Sequence, residues 1–237
     1  MMKFALITGA SGGIGKSTAR KLAVEGWSLY LHSHRNEEAI TALMEEIKGV
    51  EVIPVKADLT SSGGVGKLTE QIFDLDAIVY CSGTSHWGLF QDQSEESMDE
   101  MISLHVKSPM LLVQALLPKL VRKKGSIVLM SSIWGQTGAS CEVVYSAVKG
   151  AQLSFVKALS KEVAPSGVRV NAVAPGAVST NMLSGFTEED VQGIRDEIPM
   201  GELAHPDQIA DAVDFLLSPK AAYITGQTLS VNGGWYT

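Results

Sequence analysis

Short apolar segments alternate along this chain with longer stretches whose apolar residues recur at helical spacing. The strand-like segments read KFALI, SLYLH, VEVIPV and DAIVYC in the first half, then SIVLM, VRVNAV and TLSVN in the second. Helices are predicted at about 13–25, 36–48, 65–73, 96–121, 143–163, 187–198 and 206–217. Short runs of Val, Ile and Leu are typical of parallel strands that are buried on both faces.

This alternation predicts an α/β fold built from βαβ units, with a Rossmann-type, doubly wound parallel sheet of about seven strands flanked by helices. No internal repeat, low-complexity tract or linker interrupts the sequence, so we predict a single domain over 1–237. Sheets of this kind bind ligands at the carboxyl ends of their strands. Candidate chemistry is therefore sought directly after each predicted strand.

Composition narrows the classes of partner. The formal net charge of −7 argues against nucleic acid, because such binding depends on many Lys and Arg contacts to phosphates. The first predicted strand begins at about Lys3, which leaves no room for a signal peptide, and no uninterrupted apolar run approaches ~18 residues. Cys81 and Cys141 have neither CxxC spacing nor neighbouring histidines. We expect a cytoplasmic protein with no metal site and no membrane partner.

The segment TGASGGIGKS, residues 8–17, is open to two interpretations. Its end resembles a P-loop, which would indicate an NTPase or kinase, but that pattern needs glycine where Ala10 stands. Alternatively, Gly9, Gly13 and Gly15 form a turn between a strand and a helix that lets the backbone approach a dinucleotide pyrophosphate. A purely structural glycine turn is the third possibility. The rest of the chain favours the dinucleotide site.

A second group of residues follows the predicted strand SIVLM. Tyr145 and Lys149 are four residues apart on a predicted helix and therefore share one face. Ser132 lies thirteen residues before Tyr145, at the same carboxyl edge of the sheet as the glycine-rich segment. A capping serine and an ordinary Tyr/Lys surface pair are the alternative without function. The shared edge favours a reaction site, because three separate features then meet at one cleft.

With these motifs the chain resembles the short-chain dehydrogenase/reductase family from Lys3 to its C-terminus. The resemblance rests on TGASGGIG, ADLT, APGAVST and the Ser132, Tyr145 and Lys149 set, while VRVNAVAPG and YITGQTLSVNGGW are most similar to the 3-oxoacyl-[acyl-carrier-protein] reductase group. It implies an oxidoreductase with a nicotinamide cofactor. The cofactor-binding residues that it implies are Gly9, Ser11, Gly13, Ile14, Gly15, Asp58, Leu59, Ser82, Gly83, Tyr145, Lys149, Pro175, Gly176, Val178 and Thr180.

The resemblance also implies ketone reduction, in which hydride moves to the carbonyl carbon while an acid protonates the oxygen. Tyr145 is expected to be that acid, with Lys149 lowering its pKa from the ordinary value near 10 and bonding the nicotinamide ribose. Ser132 is expected to hold the carbonyl oxygen. A dinucleotide-binding regulator without turnover is the non-enzyme alternative, and the intact set of three residues argues against it.

The cofactor is predicted from the end of the second strand, in LYLHSHRNEE. An NAD enzyme places Asp or Glu there for the ribose 2′-hydroxyl, whereas NADP requires that acid to be absent and a cation to be near. Ser33, His34 and Arg35 occupy this place, so we predict NADP(H), with these three residues as candidates for the 2′-phosphate. A metal pair of His32 and His34 is the alternative, but no third ligand is placed nearby.

Two positions depart from the family pattern. Tyr80, Cys81, Ser82 and Gly83 stand where relatives carry Asn-Asn-Ala-Gly, so the asparagine contacts are lost. His105 stands where relatives place an asparagine that holds a water behind the lysine. Two roles are open for His105, because a lone helical histidine can simply be buried, while imidazole can also donate and accept in a proton relay.

The substrate is predicted from resemblance alone. His105 in LHVKSP, together with SSIWGQTGASCEVVYS and SGTSHWG, resembles the elongation factor P 5-aminopentanone reductases, which reduce a ketone carried on a lysine of that translation factor. Reduction of 3-oxoacyl groups on acyl carrier protein is the alternative. Relatives that dock the carrier usually have a basic residue just before the sixth strand. This chain has Pro165, Ser166 and Gly167 there, although Lys123 and Lys124 remain.

Two further expectations concern surfaces. The segment NMLSGFTEEDVQGIRDEI is the expected lid, and its acids either suit a cationic amine on the substrate or form a solvated helix face. Members of the family are commonly tetramers through two long helices, here about 97–121 and 143–163, and the last strand. We therefore expect a homotetramer.

Overall fold

The computed structural model describes residues 2–237, so Met1 of the predicted domain lies outside the described residues. One sheet of seven parallel strands has the order β3-β2-β1-β4-β5-β6-β7. The order changes direction between β1 and β4, which creates the crevice where doubly wound sheets bind ligands. The predicted fold is confirmed. The strands are β1 (Phe4–Thr8), β2 (Ser28–Ser33), β3 (Val52–Lys56), β4 (Ala77–Tyr80), β5 (Ser126–Met130), β6 (Arg169–Pro175) and β7 (Thr228–Val231).

Helices cover both faces of this sheet. They are α1 (Gly13–Val24), α2 (Glu37–Glu46), α3 (Gly64–Thr69), α4 (Glu95–Ile102), α5 (Ser108–Lys123), α6 (Trp134–Thr137), α7 (Val143–Val163), α8 (Glu188–Glu197) and α9 (Pro206–Leu217). The short α6 was not predicted. Helix α3 ends earlier than predicted, because the N–H groups of Gln71 and Ile72 donate to carbonyls only three residues back. The Phe73 N–H then donates to the Tyr30 hydroxyl at 3.3 Å.

Alternate residues of each strand fill two separate cores. Leu6 and Ile78 pack with α3, α5 and α7 on one face, and Ile7 and Val79 pack with α1, α2 and α9 on the other. All four side chains are fully buried. Each buried aliphatic side chain of this size stabilises the fold by roughly 1.5–3 kcal/mol relative to exposure. This packing fixes the carboxyl ends of the strands at one edge.

A π-helical turn at Ser103–Lys107 joins α4 to α5, so that Glu95–Lys123 is one continuous helix. By length and composition this helix could cross a membrane. The search for uninterrupted apolar runs in the sequence did not find it, because polar residues interrupt the helix. Its apolar face packs into the domain, with Leu112 and Leu116 in the core. A buried core helix can have the same length and hydropathy as a membrane-spanning helix. The wider turn inserts one residue into the helix and changes which groups face the sheet edge.

Candidate active site

Close backbone contacts shape the glycine-rich loop after β1. Gly9 has a φ of +65°, a left-handed conformation that glycine adopts without strain, and a Cβ there would lie 3.0 Å from the Ser82 backbone. A Cβ at Gly15 would lie 2.3 Å from the Gly9 carbonyl oxygen. Both positions therefore require glycine, and the loop draws the start of α1 tightly against the ends of β1 and β4.

His32 supports this loop from β2. Its Nδ1 accepts a hydrogen bond from the Gly9 N–H at 3.1 Å, and its Nε2 donates to the Ala57 carbonyl at 3.1 Å. Burial lowers the pKa of His32 to about 4, which keeps the ring neutral. Both ring nitrogens are engaged in this way, so His32 is not available as a metal ligand beside His34.

The N-terminus of α1 presents backbone N–H groups at the switch point. Gly12 caps the helix without a side-chain hydrogen bond, and the first turn contains no acidic residue. Ser11 and Ile14 flank this end. From beyond β6, Thr180 reaches the same loop, since a Cβ at Gly13 would lie 2.6 Å from the Thr180 Cγ2. An uncapped helix N-terminus with close backbone approach fits a pyrophosphate group.

The end of β2 carries the predicted 2′-phosphate residues at an exposed corner. Ser33 is buried, whereas Arg35 is exposed and makes no ion pair among residues 2–237. The His34 Nε2 lies 3.7 Å from the Asp58 Oδ2. Partial burial raises the pKa of Asp58, but hydrogen bonds from Thr60 and the nearby His34 outweigh this and leave the pKa below its ordinary value. The corner thus combines one free cation with a histidine beside a carboxylate.

The other residues predicted to bind the cofactor lie at the ends of β3, β4 and β6 or in the segments that follow them. Thr8 Oγ1 accepts hydrogen bonds from the backbone N–H groups of Cys81 (3.1 Å) and Ser82 (3.2 Å), which holds the segment that lacks the family's asparagines. Ser108 Oγ donates to the Leu59 carbonyl. After β6, the Pro175 carbonyl accepts from the Ile133 N–H, Gly176 bonds the Val231 carbonyl, and Val178 bridges to Ala204.

Ser132, Tyr145 and Lys149 meet at this edge, as the spacing predicted. Ser132 lies two residues beyond β5, and the other two share one face of α7. Their exposed fractions are 8%, 8% and 4%. Gly135 brings α6 against α7, because a Cβ there would lie 2.7 Å from the Lys149 carbonyl carbon. Three polar side chains buried together at the carboxyl edge of the sheet are typical of a reaction site.

The electrostatics of the pair differ from the prediction. The Lys149 Nζ donates to the Met130 carbonyl at 2.7 Å and lies 5.4 Å from the centre of the Tyr145 ring. Burial lowers the pKa of Lys149 to about 7. Burial also raises the pKa of Tyr145, the Glu142 carboxylate raises it further, and the Ser132 hydroxyl opposes the rise. Desolvation therefore exceeds any effect of the lysine, and Tyr145 stays protonated in this arrangement.

His105 lies beside Tyr145, with the ring centres 5.8 Å apart in an edge-to-face arrangement. It is fully buried, and its Nε2 lies 2.9 Å from the Thr84 carbonyl oxygen and 3.1 Å from the Thr84 nitrogen. Its Nδ1 is buried without a hydrogen-bond partner among the described residues. Gly83 packs against the ring, where a Cβ would lie 2.7 Å from Cε1. Burial, and then the charge of Lys149, lower the pKa of His105 well below 6.5.

A residue that the sequence reasoning missed links these groups. Gln152 is 2% exposed, and its side chain contacts both Lys149 and the His105 carbonyl. The available signal was a polar residue three positions after the lysine, on the face of α7 that also carries Val148 and Val156. One buried amide thus links Lys149, beside the Tyr145 ring, to the backbone of His105.

Comparison with known proteins agrees with this geometry. A family model described as Enoyl-(Acyl carrier protein) reductase matches residues 9–236, which contain the glycine loop and the Ser132, Tyr145 and Lys149 set. The chain belongs to the short-chain dehydrogenase/reductase family. As a member of this family it is an oxidoreductase, and the sheet order and pocket described above are those of a short-chain dehydrogenase/reductase domain.

Three relatives illustrate the range of the family around this chain. The uncharacterized oxidoreductase YmfI of Bacillus subtilis (strain 168) is 57% identical over 241 residues and covers 100% of both chains. The 3-oxoacyl-[acyl-carrier-protein] reductase FabG of Aquifex aeolicus (strain VF5) is 36% identical over 99% of this chain and 97% of its own. The crystal structure of the angucycline C-6 ketoreductase LanV with bound NADP superimposes with a TM-score of 0.94, at 31% identity over 98% of this chain and 95% of that one.

Proposed function

We propose that this protein is an NADPH-dependent ketone reductase whose substrate is the ketone carried on a lysine of elongation factor P. The observation that carries the reductase assignment is the meeting of Ser132, Tyr145 and Lys149 beside the glycine loop. A regulator without turnover would not need a buried acid and a buried lysine at the nicotinamide end of the cleft, because burying such groups is costly.

The residues present fit NADPH. The uncapped start of α1 suits the pyrophosphate, and Arg35 with His34 suits the 2′-phosphate at the exposed corner. The LanV relative, whose crystal structure contains NADP, supports the same choice. When bound, NADPH would supply the hydride that reduces the carbonyl carbon.

The side chains of the pocket provide the rest of the reaction. The Ser132 hydroxyl donates a hydrogen bond to the substrate oxygen and stabilises the negative charge that develops there. Tyr145 gives its proton to the same oxygen, and burial ensures that this proton is present. The Lys149 ammonium then stabilises the phenolate that is left. Because burial lowers the pKa of Lys149 to about 7, reduction should decline as the pH rises through this value.

His105 is included in this proposal as a relay residue behind Lys149. Its neutral ring lies edge-to-face with Tyr145, and its free Nδ1 can donate or accept, depending on the tautomer. A relay would use the Nδ1 atom of the ring. The backbone carbonyl of His105 accepts a hydrogen bond from Gln152 beside Lys149, and it can hold that amide but cannot itself donate a proton.

Contacts at the amino ends of β5 and β6 argue against docking of acyl carrier protein, which favours elongation factor P. Docking of the carrier in relatives uses basic residues, and here the loop before β6 forms a tight turn at Ala164–Ser166. Gly167 packs against the Lys124 side chain, and the Lys123 Nζ pairs with Asp74 at 2.6 Å. The two remaining lysines are thus partly occupied by contacts within the chain.

Reduction of 3-oxoacyl groups on acyl carrier protein is the second candidate. The 36% identity to the FabG reductase over nearly the full length of both chains favours it. A single comparison separates the candidates: NADPH oxidation by the purified protein with elongation factor P bearing the ketone, and with an acetoacetyl thioester of acyl carrier protein. Faster turnover of modified elongation factor P supports the proposal, and the reverse supports the second candidate. No turnover of either substrate or of small activated ketones would refute both.

A homotetramer is also proposed. Several apolar side chains are exposed on the helix formed by α4 and α5, where the family's assembly surface is expected: Ile102, Met110, Leu111 and Val121. Sedimentation equilibrium of the purified protein tests this assembly, and a monomer at micromolar concentration would contradict it.

A further inference from the structure

Gln152 is an unusual residue to find in a core. It is 2% exposed in the middle of α7, and glutamine is buried in this way only when its amide is hydrogen-bonded. Its Nε2 donates to the His105 carbonyl at 2.9 Å, and its Oε1 lies 3.5 Å from the Lys149 Nζ. Both ends of one amide therefore contact groups of the proposed reaction site.

The chemistry of the two partners fixes the orientation of this amide. The His105 carbonyl can only accept a hydrogen bond, so the NH₂ end must face it, which turns the oxygen towards the ammonium of Lys149. Residues three apart on a helix lie on one face, which places Gln152 beside Lys149. The π turn at Ser103–Lys107 brings the His105 carbonyl to the same place from the neighbouring helix.

The groups around Lys149 leave few sources of stabilisation for its charge. From α7 it faces Tyr145, whose raised pKa keeps it neutral, and from the end of β4 it faces Cys81, whose thiol pKa burial raises to about 12. From the π turn it faces His105, whose ring is kept neutral. Among the described residues the ammonium hydrogen-bonds only to oxygen atoms of Met130 and Gln152. Loss of either oxygen should therefore destabilise the charged form of Lys149.

We propose that Gln152 is a positioning residue that stabilises the charged form of Lys149 and so sets the pH at which ketone reduction is lost on the alkaline side. The proposal rests on the proposed function, because it assumes that the ammonium is the active form. The amide does not itself titrate, so its effect is exerted on the lysine. It also ties the position of the lysine to the π turn through the His105 carbonyl.

Two substitutions at this position should move the alkaline limb in opposite directions. Gln152→Leu removes the oxygen, so the ammonium loses a partner and the activity should be lost at lower pH. Gln152→Glu places a carboxylate beside the ammonium, which favours the charged form, so the activity should persist to higher pH. We expect shifts of about one pH unit each way, a tenfold change in proton affinity. A purely structural glutamine would lower the activity of both variants without this ordering.

The first measurement is the pH profile of kcat for NADPH oxidation with an acetoacetyl thioester. The second is independent of turnover: the pH titration of lysine Cε and Nζ signals by NMR, with Lys149 identified from its absence in Lys149→Arg. Gln71→Leu is the matched control, since Gln71 is an exposed glutamine whose amide donates to the Lys67 carbonyl and it lies far from the pocket. It should leave both readouts unchanged.

The two readouts separate the possible failures. If the NMR titration of Lys149 follows the order Leu, wild type, Glu, the proposal for Gln152 holds for the lysine, and a wild type that reduces no ketone would then overturn only the proposed function. If the titration is the same in all three proteins, or shifts in one direction, the proposal is overturned. Should Gln152→Leu fail to fold, the isosteric Gln152→Glu must still raise the titration of Lys149, and an unshifted value overturns the proposal.

Discussion

The cluster of Ser132, Tyr145 and Lys149 and the corner at the end of β2 are built in opposite ways. At the first, Ser132, Tyr145 and Lys149 are less than a tenth exposed. The Lys149 ammonium donates to the Met130 carbonyl, and the Ser132 hydroxyl accepts from the Trp134 N–H. At the second, the His34 side chain is 41% exposed, and Arg35 stands in solvent. Charges and dipoles act strongly in the poorly screened interior, and only weakly where water and salt surround them.

This difference in burial separates the residues expected to carry out the reaction from those expected to select the cofactor. Removing the reacting group of Ser132, Tyr145 or Lys149 should change the rate by orders of magnitude, since no neighbouring side chain replaces it. Changing an exposed charge should alter which cofactor binds, by a smaller factor that depends on ionic strength. Substitutions in the two regions test this division directly.

The largest effect is expected from Tyr145→Phe. Phenylalanine keeps the edge-to-face packing with His105 and removes only the proton donor, so kcat for ketone reduction should fall by roughly 10²–10⁴-fold. NADPH affinity, measured by the change in cofactor fluorescence on binding, should change little. If the variant retains more than about a hundredth of the wild-type kcat, Tyr145 is not the general acid.

A smaller but still large effect is expected from Gly15→Ala. The new Cβ would lie 2.3 Å from the Gly9 carbonyl oxygen, so the loop must move, which should lower the free energy of unfolding by ~1–3 kcal/mol and weaken NADPH binding. Gly66→Ala is the matched control, because Gly66 lies within α3 and a Cβ there meets nothing within 4 Å. That variant should be neutral or more stable by up to about 1 kcal/mol. Equal stability of the two variants in urea denaturation would contradict the tight loop.

At the exposed corner, Arg35→Asp should change cofactor preference. A carboxylate repels the 2′-phosphate but can accept a hydrogen bond from the ribose hydroxyl, so kcat/KM should fall for NADPH and be kept or raised for NADH. We expect the NADPH/NADH ratio to drop by about tenfold at low salt, and by less at high salt, because the site is exposed. Equal losses with both cofactors would show that Arg35 does not read the 2′-phosphate.

The fold and the main residues of the pocket could be predicted because local patterns encode them. Buried parallel strands read as continuous apolar runs, and the four-residue spacing of Tyr145 and Lys149 directly specifies a shared helix face. The π turn was missed, because one inserted residue hardly disturbs the apolar spacing of the predicted helix 96–121. The contacts of Gln152 were missed for a related reason, since its partner His105 is 47 residues away along the chain.

The direction of the Tyr145 pKa shift shows a different limit. Sequence spacing indicated that the lysine lies near the tyrosine, and it does. It did not show how deeply both groups are buried, or that the Met130 carbonyl holds the ammonium at 2.7 Å. Burial is a property of the assembled domain, because it depends on helices and strands from the whole chain.

The smallest change is expected from His105→Asn, which tests whether the ring or only the backbone of this residue takes part. Turnover at the optimum pH should stay within a few-fold of wild type, because the contact from Gln152 to the main-chain carbonyl is kept.

Burial lowers the pKa of His105, so the ring is neutral near neutral pH and gains a proton only as the pH falls well below 6.5. If the neutral ring relays protons, the wild-type kcat should decline through that acidic range, and asparagine, which cannot titrate there, should remove the decline. His86→Asn is the matched control, because His86 is a partly exposed histidine of the neighbouring loop. Its charge contributes to lowering the pKa of His105, so this variant should keep the acidic limb and move it only slightly to higher pH. If the acidic limb is the same in wild type and His105→Asn, the His105 ring only packs in the core and its carbonyl only accepts the hydrogen bond from Gln152. The roles proposed for Ser132, Tyr145 and Lys149 would not change.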